Sequence, residues 1–235
     1  MREPLTVAVA QPECDAYDVA ANAATHAAVV HAAGARVVVF PELSLTGYEL
    51  DADVVPPEHE ALSELLTACR DTGTLALAGA PVDGDGGPFI GMLAVDGLTG
   101  AVTVAYRKVY LGGHERRRFR PAAGPAVVTV EGRRLGLAQC KDTGVPRHQA
   151  DTVALGIDAY LAGTCRSAEE ADEQAERGAR IAVAHGVWVA FASFAGPTGD
   201  GYTETAGRSA IWSPDGTPVA RAGKDPGTFT VATIA

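Results

Sequence analysis

The chain has 235 residues, 47% of them apolar and 20% charged, enough to fill one sizeable hydrophobic core. Its formal net charge of −10 at pH 7 works against nucleic acid and acidic membrane surfaces as partners. No apolar stretch approaches the roughly 18 residues of a membrane-spanning helix, and Cys14, Cys69, Cys140 and Cys165 are too widely spaced for a zinc site, so no metal or cofactor is expected.

In chain order, LTVAVAQ (5–11) reads as a buried strand. A secretory leader would carry a longer apolar core and a small-residue cleavage site, so a cytoplasmic protein is expected. Residues 15–34 are alanine-rich, carry Asp near the start and Gly at the end, and predict a helix. RVVVF (36–40) is a strand, and residues 56–73, opening on two prolines and closing on Gly73, predict a second helix. LALAG (75–79), FIGMLAVD (89–96) and AVTVAYRK (101–108) are strands, the last two joined by the turn GLTG. A loop rich in Gly, Pro and Arg (110–125) leads to a hairpin of AVVTV (126–130) and RRLGLAQC (133–140). A short helix over 146–156, the strand IDAYLAG (157–163), a helix over 167–186 and the strand VWVAFASF (187–194) follow. A Gly-rich loop (196–201) precedes the strands RSAIWS (208–213), TPVARAG (217–223) and TFTVATI (228–234).

No linker or low-complexity stretch divides the chain, which predicts one domain over 1–235. The βαβ alternation predicts an α/β fold of mixed sheets with helices on the outer faces. LTVAVAQ–helix–RVVVF echoes RLGLAQC–helix–IDAYLAG in layout, so two sheets packed face to face are expected.

Three polar residues follow apolar strands: Glu42, Lys108 and Cys140. Strand ends in α/β folds face the crevice where ligands bind. Taken singly each has an ordinary role, as a helix cap, a solvated lysine and a packing thiol. Together they make coherent chemistry. A thiol attacking a C=O or C≡N carbon needs a base, which a buried carboxylate supplies, and a cation for the charge that develops.

The segments FPELSLTGY (40–48), YRKVYL (106–111) and LGLAQCKD (135–142) resemble, in order and spacing, the three signature motifs of the nitrilase, or carbon–nitrogen hydrolase, superfamily. GARIAVAHGVWVAFASFAG (178–196) and GRSAIWSPDGTPVA (207–220) resemble later segments of that family, so the likeness covers nearly the whole chain. The resemblance implies an α-β-β-α sandwich of two mixed sheets flanked by helices, pairing into a homodimer. It implies Glu42 as general base, Lys108 as transition-state stabiliser, Cys140 as nucleophile and Glu115 as the second glutamate that orients Lys108. The function implied is hydrolysis of a non-peptide C–N bond, a small-molecule amide before a nitrile. The alternatives are acyl or amide transfer, a nitrilase with the same triad, and a non-catalytic binding protein of the same fold.

The sequence also departs from the family pattern. Lys141 stands where an aromatic residue commonly follows the cysteine, Arg147 replaces a glutamate, and Thr143 and Gly144 occupy places where some relatives carry arginines. Substrate contacts are expected from the loops, at Tyr48, His114, Lys141 and Thr143.

Overall fold

The computed structural model of the protein describes residues 3–235. The first half of the chain builds most of one six-stranded sheet. β1 (Leu5–Gln11), β2 (Val37–Val39) and β3 (Leu75–Val82) run parallel, with α1 (Val19–Ala33) and α2 (Ser63–Thr72) as crossovers. β4 (Phe89–Asp96) and β5 (Ala101–Arg107) continue from β3 as an antiparallel meander.

The second half repeats the plan. β6 (Ala126–Val130) pairs antiparallel with β7 (Arg133–Gln139), and β7, β8 (Ala159–Thr164) and β9 (Trp188–Ser193) run parallel. Their crossovers are α3 (Pro146–Val153) and α4 (Ala171–His185). A short hairpin of β10 (Ala195–Gly196) and β11 (Thr205–Ala206) stands apart, and β12 (Ala210–Trp212) and β13 (Pro218–Arg221) complete the second six-stranded sheet. β14 (Thr228–Ile234) returns to pair antiparallel with β1. The sheet orders are β14-β1-β2-β3-β4-β5 and β6-β7-β8-β9-β12-β13, and both run through the same series of antiparallel, parallel, parallel, antiparallel and antiparallel pairings. The repeated layout seen in the sequence is therefore a repeated structural unit.

Side-chain alternation along the strands sets the layers. Val7, Val9, Val39 and Leu77 of the first sheet meet Leu135, Leu137, Leu161 and Ile211 of the second. Each such side chain contributes about 1.5–3 kcal/mol on burial. On the first sheet's outer face the residues are small, Ala8, Ala10, Ala76 and Ala78, so α1 and α2 lie close against it. On the second sheet's outer face Tyr160, Ala162 and Phe191 pack on Ile181 and Ala182 of α4. These are two mixed sheets flanked by helices.

Three helices start later than the sequence predicts, α4 among them, where a 3-10 turn (Ala168–Glu170) precedes it. Tyr17 adopts a left-handed backbone (φ 61), which blocks a helix from 15, and the Asp18 side chain accepts from the Ala21 N–H at 2.9 Å to cap α1. After Pro56–Pro57 the chain makes separate turns, and a 3-10 turn (Glu60–Leu62) precedes α2. No helix among the described residues is long and apolar enough to cross a membrane.

Candidate active site

Glu42 lies three residues past the end of β2, on a backbone segment squeezed between two neighbouring strands. A Cβ at Gly79 would sit 2.3 Å from the Pro41 carbonyl oxygen and 2.4 Å from the Leu43 nitrogen. One at Gly163 would sit 2.7 Å from the Phe40 carbonyl oxygen and 2.8 Å from the Glu42 nitrogen. Only glycine admits this approach. Leu43 (φ 54) and Tyr48 (φ 61) then take left-handed backbone conformations, strain that other contacts must hold in place.

α1 supplies those contacts. The Asn22 amide donates to the Leu45 carbonyl at 3.1 Å. His26 Nδ1 donates to the Asn22 carbonyl at 2.5 Å, leaving Nε2 to accept from the Ser44 hydroxyl at 2.8 Å. The ring stacks on Phe40 at 3.9 Å. Burial, partly opposed by the Asn22 carbonyl, lowers the His26 pKa to about 3, so the ring is neutral.

Lys108 owes its direction to a β-bulge. Met92 pairs with Tyr106 but Leu93 with Val104, so Ala105 is an extra residue in β5. Before the bulge Val102 and Val104 pack with the helix-side core; after it Tyr106 packs between the sheets. Lys108, two residues on, follows Tyr106. It is fully buried, and its Nζ donates to Glu42 Oε1 at 2.5 Å and to Glu115 Oε1 at 2.8 Å. Glu115 is fixed in turn by the Gly112 N–H at 2.7 Å. Burial works against the lysine charge, but Glu42 and Glu115 outweigh it and hold the ammonium above its ordinary pKa. Burial pushes Glu42 up to about 8, against the pull of Lys108 and with the push of Glu115. Glu42 Oε2 is buried without a hydrogen-bond partner among the described residues.

Cys140 opens a 3-10 turn (Cys140–Gly144) directly after β7, with a left-handed backbone at φ 26. Asp142 holds this elbow: its carboxylate accepts from the Gln139 N–H at 3.0 Å, the Tyr110 N–H at 2.8 Å and the Tyr106 hydroxyl at 2.8 Å. It thereby ties the nucleophile candidate's turn to the strand that carries Lys108. The Thr143 hydroxyl donates to the Cys140 carbonyl at 2.7 Å. The Cys140 side chain donates to the Cys165 carbonyl at 3.1 Å. Burial and Glu42 push the thiol up to about 12, with Lys108 pulling the other way. Cys140 keeps 9% of its surface accessible, so the site is narrow.

The structure thus brings Glu42, Lys108 and Glu115 into direct contact and sets Cys140 within the reach of their charges. Tyr48 is buried in an apolar cluster with Leu43, Leu111, Phe119 and Phe194 beside the site. Thr143 is buried and braces the elbow from behind, where Arg177 and Gln149 also bond to it. His114 is exposed and pairs with Asp200 at 3.4 Å, and Lys141 is exposed at the surface of the turn. Sequence reasoning missed Gly79 and Gly163, whose signal is a glycine closing an apolar strand, and the bracing by Asp142. It also missed His148, whose Nε2 meets the Tyr106 hydroxyl at 2.8 Å and whose Nδ1 meets the Tyr160 hydroxyl at 2.9 Å.

This fold and site define a class, and comparison with known proteins agrees with it. Residues 6–235 match the carbon–nitrogen hydrolase family, and the chain belongs to that family. Among curated proteins it is 31% identical over 195 residues to the glutamine-dependent NAD(+) synthetase of Xylella fastidiosa (strain Temecula1), covering 77% of this chain and 35% of the synthetase. The chain therefore spans about a third of that relative's length. It is 29% identical over 214 residues to the hydrolase Rv0480c of Mycobacterium tuberculosis, covering 83% of this chain and 76% of the relative. Among solved structures it is similar to the amidase from Nesterenkonia sp. AN1. A mutant of that amidase in complex with butyramide superposes with a TM-score of 0.85 at 26% identity, covering 97% of this chain and 90% of the other. A second mutant, showing Michael addition of acrylamide at the active site cysteine, gives 0.83 at 25% identity over 97% and 92% of the two chains. The enzyme class expected from the sequence, a carbon–nitrogen hydrolase, is the one these comparisons support.

Proposed function

We propose that the protein hydrolyses the C–N bond of small amides through an acyl-thioester on Cys140. The observation that carries this reading is the buried Lys108 ammonium clamped between Glu42 and Glu115 beside a buried thiol. The unpartnered Glu42 Oε2 adds a buried acceptor with no structural task.

In the resting site the thiol keeps its proton. Burial holds the thiol above its ordinary range and leaves it a weaker acid than Glu42, so moving that proton before substrate arrives is unfavourable. Proton transfer is therefore coupled to attack. As Cys140 Sγ bonds to the amide carbon, its proton passes to Glu42, and the oxyanion forms against the Lys108 ammonium. The Lys141 N–H, in the first turn of a helix where no intrahelical acceptor exists, supplies a second donor. Collapse breaks the C–N bond, Glu42 hands its proton to the departing nitrogen, and ammonia leaves. Water then attacks the thioester, Glu42 takes its proton, and the thiol returns as the carboxylic acid is released.

The narrow approach to Cys140 favours small acyl groups, and butyramide in the similar amidase is of that size. The test is an ammonia-release screen over aliphatic amides, glutamine and other ω-amides, carbamoyl compounds and nitriles, with intact-mass detection of acyl adducts. We expect turnover of at least one short amide, an adduct on Cys140, and no ammonia from Cys140→Ala. Turnover by a folded Cys140→Ala protein contradicts the covalent route. Hydroxylamine in the same screen separates acyl transfer from hydrolysis. A cytoplasmic setting and a homodimer belong to the same proposal. The exposed Val183 on α4 and Leu155 just after α3 supply apolar surface points, and sedimentation tests the pairing.

A further inference from the structure

The loop between β10 and β11, residues 197–204, is tied down on three sides. The Thr198 hydroxyl and the Gly199 N–H both donate to the Gly47 carbonyl at 2.9 Å. Gly199 passes so near Tyr48 that a Cβ would lie 2.6 Å from the Tyr48 carbonyl oxygen. Asp200 meets His114, next to Glu115, at 3.4 Å. The Ala168 N–H donates to the Glu204 carbonyl at 3.2 Å, and Ser167 bridges to Thr205. The loop therefore touches the segments that follow Glu42 and Cys165 and the turn that carries Glu115.

One side chain of this loop reaches the site. Tyr202 is half-buried and packs against the apolar cluster that contains Leu43, Leu111 and Cys165. Its ring stands edge-on to Tyr48 at 5.6 Å and 84°, and Tyr48 stands edge-on to Phe194 at 5.9 Å and 79°. The Tyr202 hydroxyl makes no hydrogen bond among the described residues, so no protein group explains where it points. Cys165 of that cluster accepts through its carbonyl from the Cys140 side chain at 3.1 Å, which sets the ring near the thiol.

We infer that Tyr202 is the roof over Cys140 and sets the size of the acyl group admitted, passing short chains and excluding longer ones. The rings of Tyr48 and Phe194 pack behind it in series. Arg166, next to Cys165, pairs through one terminal nitrogen with Glu170 at 2.5 Å and Glu173 at 3.2 Å, while its Nε is buried without a partner among the described residues. The assignment rests on Cys140 being the reactive thiol, as proposed above.

The test reads thiol chemistry rather than turnover. Cys140 alkylation by iodoacetamide and by 2-bromohexanamide is followed by intact mass and peptide mapping, and each rate is normalised to that of glutathione. Removing the ring in Tyr202→Ala should raise the long-to-short rate ratio at least tenfold. Tyr202→Phe, which keeps the ring, should leave the ratio within about twofold of wild type. Tyr202→Trp should lower it and guards against a Tyr202→Ala protein that does not fold. An unchanged ratio in both Tyr202→Ala and Tyr202→Trp, with Cys140 labelling normally, overturns the roof and leaves the nucleophile standing. No labelling of Cys140 in any variant overturns the nucleophile reading and the roof with it.

Discussion

Gly163→Ala makes the most demanding test of how Glu42 is placed. The new methyl would lie 2.7 Å from the Phe40 carbonyl oxygen, 2.8 Å from Gln139 Oε1 and 2.8 Å from the Glu42 nitrogen. Ordinary carbon contacts begin near about 3.5 Å, so one side must move by about 0.7 Å. β8 is bonded to parallel partners on both sides, so the freer segment, Phe40 to Glu42, has to give. Overpacking of this kind costs about 1–3 kcal/mol of stability. A shift near 1 Å at a catalytic group costs on the order of a hundredfold in rate. We expect kcat/KM for the best amide to fall about 100-fold while urea unfolding shows a lower but cooperative midpoint. Gly223→Ala, where an added Cβ meets nothing within 4 Å, should keep wild-type activity. Wild-type kcat/KM in a folded Gly163→Ala protein would refute the view that the strand holds Glu42 by contact.

Because Glu42 must be ionised to accept a proton and burial raises it to about 8, kcat/KM should climb with pH to a limb near 8; Glu42→Gln should remove that limb and about 10²–10⁴-fold of the rate. His26 sits at about 3 in the fold against 6.5 when exposed, so its contribution to stability is complete above about pH 6.5 and is lost as pH falls toward 3. At pH 4.5 that loss is about 3 kcal/mol, read as the part of the acid destabilisation that His26→Gln abolishes; Glu42 acts in the opposite sense, its raised value favouring the fold below about 8. Asp142→Ala leaves the Gln139 and Tyr110 N–H groups without their acceptor and should cost about 2–4 kcal/mol in urea unfolding; an equal midpoint to wild type would show that the elbow does not depend on this carboxylate.

The strands were legible because their apolar runs are short and bounded by turn residues, and β1 and β14 fall at the predicted positions. The residues that converge on the site were visible as polar residues ending such runs. What alternation alone could not give is the face. Without the extra Ala105, Lys108 would follow Val104 toward the helix layer, and only the pairing register reveals the bulge. The buried groups that hold the segment after Glu42 were hidden for a related reason. Asn22 and His26 lie on the buried face of an alanine-rich helix with no strong apolar stripe, and their task is set by a loop that the chain reaches later. Loop side chains were the least legible. His114 and Thr143 stand close in sequence to Glu115 and Cys140, yet one faces solvent and the other braces a turn, because each short helix points neighbouring residues in different directions.

The pairing of β1 with β14 joins Leu5 to Ile234, and Gln11 reinforces the seam by bonding to the Gly223 and Asp225 carbonyls at 3.0 and 2.6 Å. A ribosome working at about 5–20 residues per second exposes β1 for about 10–40 s before its edge partner is made. During that interval an almost wholly apolar strand carries one unpaired edge, the condition under which chains capture one another. The newborn chain is thus most vulnerable at β1, and any cleavage that removes β14 returns the folded protein to that same state.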